Sequence, residues 1–176
     1  MYCSVYLLTF ILIYTYSTMV EIKVRVQINA PTNKVWDIIS DVDSDSTFWK
    51  GTTAIRNLTK DGPVITREVT IGKVDRCSQT VTLFPKEGVN VRWTKGSITG
   101  TKDLMLVPMG NATQLEVVLK YKLSGMATFM SGKITKDLQR EADDAVQLIK
   151  EKAEGITHAL EMEERKSWAD LVNEKH

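Results

Sequence analysis

Few residues in this chain are of a type and spacing that could do chemistry. Its two cysteines, Cys3 and Cys77, sit in regions of very different character and lack the regular spacing of a disulfide framework, which fits a reducing compartment. Both histidines, His158 and His176, lie near the C-terminus without cysteine partners, so zinc-ligand spacing and a catalytic imidazole in the main body are missing. Glycine-rich phosphate loops, paired-cysteine motifs and serine nucleophile elbows are absent as well. Asp41, Asp43 and Asp45 alternate in the manner of a calcium loop, but no glycine and distal glutamate complete it, and they read as caps and turn residues. No metal, cofactor or recognisable catalytic set is expected.

What remains are polar side chains on strand faces that are otherwise apolar, where a polar group needs a reason to be. Arg67 shares its face with Ile65, Val69 and Ile71. It either enters an internal cavity to hold a polar ligand group or carries its charge to solvent at the rim. Lys102, on the side of Leu104 and Leu106 near a strand end, faces the same choice. Gln79, aligned with Cys77, Val81 and Leu83, either donates to a ligand carbonyl or satisfies a neighbouring buried group. Trp49, Trp93 and Tyr121 join large apolar surfaces to a polar tip, a combination that suits a flat ligand and equally suits a plain core.

The elements that must position these groups follow from hydrophobic periodicity. Ile22, Val24, Val26 and Ile28 alternate with Lys23, Arg25, Gln27 and Asn29, the period of a strand with one buried face. Ala30-Pro31-Thr32 stops it, and Val35, Trp36, Ile38 and Ile39 make a short amphipathic helix ending around Ser40-Asp41. A second helical turn after the Asp- and Ser-rich stretch carries Phe48 and Trp49 inward. Turn sequences then recur at Lys60 to Pro63, Gly72-Lys73, Pro85 to Gly88, Lys95-Gly96 and Pro108 to Asn111, dividing the chain into six further strands. The last shows Leu115, Val117, Leu119, Tyr121 and Leu123 on one face. After Gly125 the period becomes helical: Met130, Ile134, Leu138, Ala142, Ala145, Ile149, Ala153 and Ile156 form one stripe. From Phe129 to Ile156 such a helix would measure about 42 Å, with Lys136, Arg140, Asp144, Lys150, Glu151 and Glu154 on its watered side.

The composition suits one folded domain. The chain has 176 residues, 43% hydrophobic and 26% charged, and its 23 basic and 22 acidic residues leave a formal charge of +1. No basic patch concentrates a field for a phosphate backbone, which disfavours nucleic acid as a partner. Residues 1–18 form an uncharged, largely apolar segment, either a membrane or targeting segment or a misassigned start ahead of Met19. Any membrane association would run through it, and without it the protein is expected in the cytoplasm. Residues 158–176 form a charged extension anchored only by Trp168, Leu171 and Val172.

The stretch Ala30-Pro31-Thr32-Asn33-Lys34-Val35-Trp36-Asp37-Ile38-Ile39-Ser40-Asp41 resembles the N-terminal signature of the START-like (SRPBCC) helix-grip superfamily, and Phe48-Trp49 and Gly110-Asn111-Ala112-Thr113 add to the likeness. That superfamily includes polyketide cyclase/dehydrase relatives, coenzyme Q-binding proteins and plant allergen-like carriers. The resemblance implies an α+β helix-grip fold over residues 19–157: a seven-stranded curved antiparallel sheet around the long C-terminal helix, with two short helices after strand one. It also implies a cavity for a lipid, quinone, polyketide or aromatic metabolite. Trp49, Arg67, Val69, Gln79, Trp93, Lys102, Leu104 and Tyr121 are expected to line it from the sheet, and Met130, Ile134 and Leu138 from the helix.

The leading expectation is a non-catalytic binder or carrier of a hydrophobic small molecule. A cyclase- or dehydratase-like enzyme is the alternative. In it Arg67 or Tyr121 polarises a carbonyl and Glu68 or Asp103 serves as base, although neither carboxylate falls on an inward face. A third reading is a protein-interaction module of the chaperone-activator type, working through the C-terminal tail and Trp168.

Overall fold

A computed structural model of the protein describes residues 19–72 and 75–155. The N-terminal apolar segment, the C-terminal extension with Trp168 and both histidines, and the helical position Ile156 lie outside the described residues. Strand β1 (Val20–Ile28) leads into helix α1 (Thr32–Ile39), a short 3-10 turn at Val42–Ser44 and the single helical turn α2 (Asp45–Phe48). Six strands follow: β2 (Thr52–Asp61), β3 (Val64–Ile71), β4 (Asp75–Phe84), β5 (Gly88–Lys95), β6 (Ile98–Met109) and β7 (Ala112–Leu123). A 3-10 segment at Gly125–Met130 precedes the long helix α3 (Ser131–Glu154).

The strands form one sheet in the order β1-β7-β6-β5-β4-β3-β2, every neighbour antiparallel. Register shifts that leave extra residues on β2 and at the end of β5 bend the sheet, as extra residues on one strand do. The alternation in β1 sends Ile22, Val24, Val26 and Ile28 to the concave side, while outward Lys23 and Arg25 both reach Glu116 on β7. Because β1 and β2 occupy opposite edges, α1 and α2 must carry the chain across the open end of the sheet. There Val35, Ile38, Ile39, Phe48 and Trp49 are all buried. The hydroxyl of Thr113 donates to the Ala30 carbonyl at 2.9 Å and lies 3.1 Å from that of Thr32, which joins the end of β1 and the start of α1 to β7.

Helix α3 packs on β1, β7 and α1, and its two halves do so differently. Ala142, Ala145, Val146, Ile149 and Ala153 are buried, and their small side chains let the second half lie close to the sheet. From Ser131 to Glu141 no residue is fully buried; Ile134 and Leu138 only lean on the core. The second half is thus anchored, and the first half roofs a gap. Gly155, at φ 77°, ends the helix in the left-handed conformation that favours glycine.

Two expectations need correction. The helix begins at Ser131 rather than Phe129, because the preceding six residues wind as a 3-10 segment. A 3-10 turn advances 120° per residue instead of 100°, which carries Met130 off the apolar stripe and leaves it 53% exposed. Glu154, expected in water, accepts the Asn29 backbone N–H at 2.7 Å with most of its side chain covered.

Candidate functional site

Antiparallel register sets the inward residues in rows across the strands, and two adjacent rows carry the polar groups. One runs Arg67, Gln79, Trp93, Gly100, Tyr121 from β3 to β7. With no side chain, Gly100 separates the two aromatic residues; its φ of +144° aims a would-be Cβ to within 2.0 Å of the Lys120 carbonyl oxygen, so no larger residue fits there. The next row runs Ile65, Val81, Val91, Lys102, Leu119, Ile22 and is apolar but for the lysine.

These rows form the floor of a cavity roofed by Leu138 and Glu141 of α3. Trp49, Arg67, Gln79, Trp93, Ile98, Lys102, Leu119 and Tyr121 are its buried wall, and the half-buried Gly51, Thr52, Ile71, Leu138 and Glu141 surround its mouth. With the mouth included it holds about 540 Å³ of atom-free space, but only about 30 Å³ admits the centre of a water molecule. That is room for roughly two or three waters.

The polar groups on the wall differ in what already satisfies them. Arg67 is 1% exposed. Its Nε donates to Gln79 Oε1 at 2.8 Å, one terminal nitrogen donates to the Val42 carbonyl at 2.8 Å, and the other donates to Asp45 Oδ2 at 2.6 Å. This guanidinium therefore clamps the segment bearing α2 and Trp49 onto β3 and β4, and Gln79 is its acceptor. The Tyr121 hydroxyl donates to Thr135 on α3 at 3.0 Å. Glu141 accepts the Gly51 backbone N–H at 2.9 Å, which latches the roof to the start of β2. Burial pushes the Glu141 carboxyl above its ordinary range, against the opposing pull of that hydrogen bond and of Lys102.

Lys102 and Trp93 stand apart. Lys102 is 5% exposed, and its ammonium rests 3.6 Å from the centre of the Trp49 ring, a contact of about 2 kcal/mol when desolvated. Among the described residues its Nζ makes no hydrogen bond and no ion pair. Burial lowers its pKa from 10.5 to about 8; Arg67 adds to the fall, while Asp45 and Glu141 oppose it. The indole N–H of Trp93 is the one fully buried side-chain polar atom among the described residues without a partner. An unmet donor of this kind costs about 1–3 kcal/mol.

Of the residues expected to line a cavity, the structure brings together Trp49, Arg67, Gln79, Trp93, Lys102, Tyr121 and Leu138. Val69 and Leu104 lie on the expected faces, buried in solid core away from it, and Ile134 packs against the core at the roof. Met130 is at the surface for the reason given above. Glu141, Gly51, Thr52, Ile71, Ile98 and Leu119 complete the lining beyond those expected. Glu141 had a signal: it stands three residues after Leu138 and seven after Ile134, on the same helical face.

Elsewhere the carboxylates and the thiol that could do chemistry are held away from the cavity or made unreactive. Glu68 pairs with Arg56 at the surface and Asp103 accepts from Asn90 on the convex face, so the register keeps both out of the cavity. Asp41 accepts from Ser44 and Asp43 from Asn57, and no cluster able to hold a metal occurs among the described residues. The Cys77 thiol is pushed up to about 11 by burial and then by Asp75, which makes it a poor nucleophile at neutral pH. No described helix is long and apolar enough to cross a membrane.

Comparison with known proteins agrees with this architecture. Among solved structures, the ZhuI aromatase/cyclase from Streptomyces sp. R1128 superposes with a TM-score of 0.70 at 13% identity, over 78% of this chain and 94% of that one. A START superfamily protein from Mycobacterium smegmatis gives 0.60 at 17% identity, over 78% and 99%. TTHA0849 from Thermus thermophilus gives 0.66 at 15% identity, over 76% and 97%. At such identities the likeness establishes the helix-grip fold alone. No curated protein matches the sequence significantly. Residues 19–154, which span every element described above, match the family described as polyketide cyclase / dehydrase and lipid transport, and the chain belongs to that family.

Proposed function

We propose that this protein binds an apolar small molecule bearing an oxygen acceptor, held between the sheet and the first half of α3, and that it carries this molecule without turning it over. The observation that carries this reading is the unpaired, buried indole N–H of Trp93 on a cavity wall it shares with Ile71, Ile98, Leu119 and Leu138. A ligand carbonyl, phenol or carboxyl oxygen supplies the missing acceptor, and the apolar residues cover the rest of the molecule. The family's inclusion of lipid transport supports the same class of ligand.

The closed cavity is smaller than the roughly 300 Å³ or more that ligand pockets commonly have, so binding requires opening. The least buried part of α3 is the part that covers the cavity, and local opening is cheapest where few apolar contacts are lost. Lifting it breaks the Gly51–Glu141 and Tyr121–Thr135 hydrogen bonds, each about 1–3 kcal/mol, which ligand burial then offsets.

Gently purified protein should release an apolar molecule detectable by mass spectrometry, and a panel of quinones, fatty acids and hydroxyaromatics should contain members that raise its Tm. At a ligand concentration a hundred times Kd the gain is about 2.7 kcal/mol, or roughly 5–10 °C for a chain of this size. An empty protein whose Tm no panel member moves would end the carrier reading.

A second reading, a cyclase- or dehydratase-like enzyme, gains from Glu141, an acid group at the cavity mouth that Glu68 and Asp103 do not supply. Turnover of a polyketide-like substrate that Glu141→Gln abolishes, with binding retained, would favour it. The interaction-module reading rests on the C-terminal extension, and loss of a partner on deleting residues 161–176 is its test.

A further inference from the structure

Lys102 is the wall's odd member. A lysine on a strand of a curved sheet ordinarily buries its stem and returns its charge to water. Here the head stays inside, over the Trp49 ring, in a row whose other members are Ile65, Val81, Val91, Leu119 and Ile22. Four other polar heads of the lining have protein partners: Arg67 has three, Gln79 accepts from Arg67, Tyr121 donates to Thr135, and Glu141 accepts from Gly51. The Lys102 amine and the fully buried Trp93 N–H, neither with a hydrogen-bond partner among the described residues, lie one strand apart on neighbouring rows of the same floor.

We propose that Lys102 forms a Schiff base with an aldehyde or ketone group of the cavity's apolar ligand. This rests on the reading of the cavity as a small-molecule site and specifies the ligand's functional group. A neutral amine is the reacting species, and the dry setting favours it: with the lysine at about 8, roughly a tenth of the molecules carry it at pH 7, against fewer than one in a thousand for an ordinary lysine.

The step balances without any further reagent. The amine lone pair attacks the carbonyl carbon, and the C=O π electrons move to oxygen, which takes up the proton released from nitrogen. The resulting carbinolamine hydroxyl is protonated and leaves as water while the C=N bond forms. The imine retains one proton, so a cation still faces the Trp49 ring. The Trp93 N–H is the donor available to the carbonyl oxygen as its charge grows. Glu141, whose protonated form burial favours, is the wall's proton donor for the departing hydroxyl.

The experiment incubates the full chain at pH 7 with limiting 2-naphthaldehyde and sodium cyanoborohydride, then locates the naphthylmethyl group by peptide mapping. In parallel, 2-naphthol, which cannot form an imine, is tested for its effect on Tm. Labelling of Lys102 ahead of the exposed lysines, and its loss in Lys102→Met, is the expected result. Labelling spread over exposed lysines with Lys102 untouched, while 2-naphthol still raises Tm, overturns the imine and leaves the binding site standing. Absence of both Lys102 labelling and any Tm change overturns the imine and the site together.

Discussion

Replacing Arg67 with methionine should lower the stability of the fold by about 3–5 kcal/mol, the usual consequence of removing one partner from a buried ion pair. The guanidinium is sealed from water and serves three acceptors on three segments. Without it, the Asp45 carboxylate, the Val42 carbonyl and the Gln79 amide oxygen all lose their donor. The clamp holding α2 and Trp49 over the sheet goes with them. At roughly 2–4 °C per kcal/mol for a chain of this length, the Tm should fall by about 10 °C, and urea denaturation should give the same loss. A change below about 1 kcal/mol would show that Arg67 does not anchor the segment.

The second cation on the same floor should behave in the opposite sense. Lys102→Met should stabilise the unliganded protein at pH 7, because the lysine is buried without a hydrogen bond or direct ion pair and methionine matches its stem. Its folded pKa of about 8 lies below the 10.5 of the unfolded chain. The charged form is thus disfavoured by folding, and the cost is present in full below pH 8. Between pH 8 and 10.5 the folded protein has released this proton while the unfolded chain still binds it, so stability rises with pH and the cost is relieved. A gap of two to three pH units corresponds to about 3 kcal/mol, and loss of the contact with Trp49 takes some of that back. Thermal melts at pH 7 and pH 10 check this: the variant should lead by several degrees at the lower pH and lose its lead at the higher. A variant less stable than the parent at pH 7 would make Lys102 a structural residue.

Arg67 and Lys102 also mark how far sequence reasoning reaches. Alternation in β3 and β6 put both side chains on the inward face, and both are there. Whether each head is satisfied depends on residues brought in by topology. Arg67 meets the Val42 carbonyl and Asp45 because the crossing between β1 and β2 passes over β3 and β4. Nothing in the strand pattern carries that information, and nothing in it says that Lys102 meets no such partner. Seven strands, two short helices and a final long helix were legible because period two and period 3.6 differ over long runs. A 3-10 turn and an α-helix cannot be told apart over six residues, so periodicity alone sets Met130 on the stripe. A stripe traced by hydrophobicity steps from Leu138 to Ala142 and ignores the acid beside it, Glu141. The tightness of the closed cavity depends on side-chain packing between the sheet and α3, which periodicity does not encode.

The central claim, that a ligand enters between the sheet and the first half of α3 and pairs with the Trp93 indole, can be read at that nitrogen. In a protein labelled with ¹⁵N at its tryptophan indoles, titration with 2-naphthol should move the Trp93 N–H resonance downfield as it gains an acceptor. The Trp49 resonance should shift by ring current, and that of Trp36, which lies on α1 outside the cavity, should hold still. A Trp93 resonance that stays in place at saturating naphthol, and with every other member of the panel, would contradict the account.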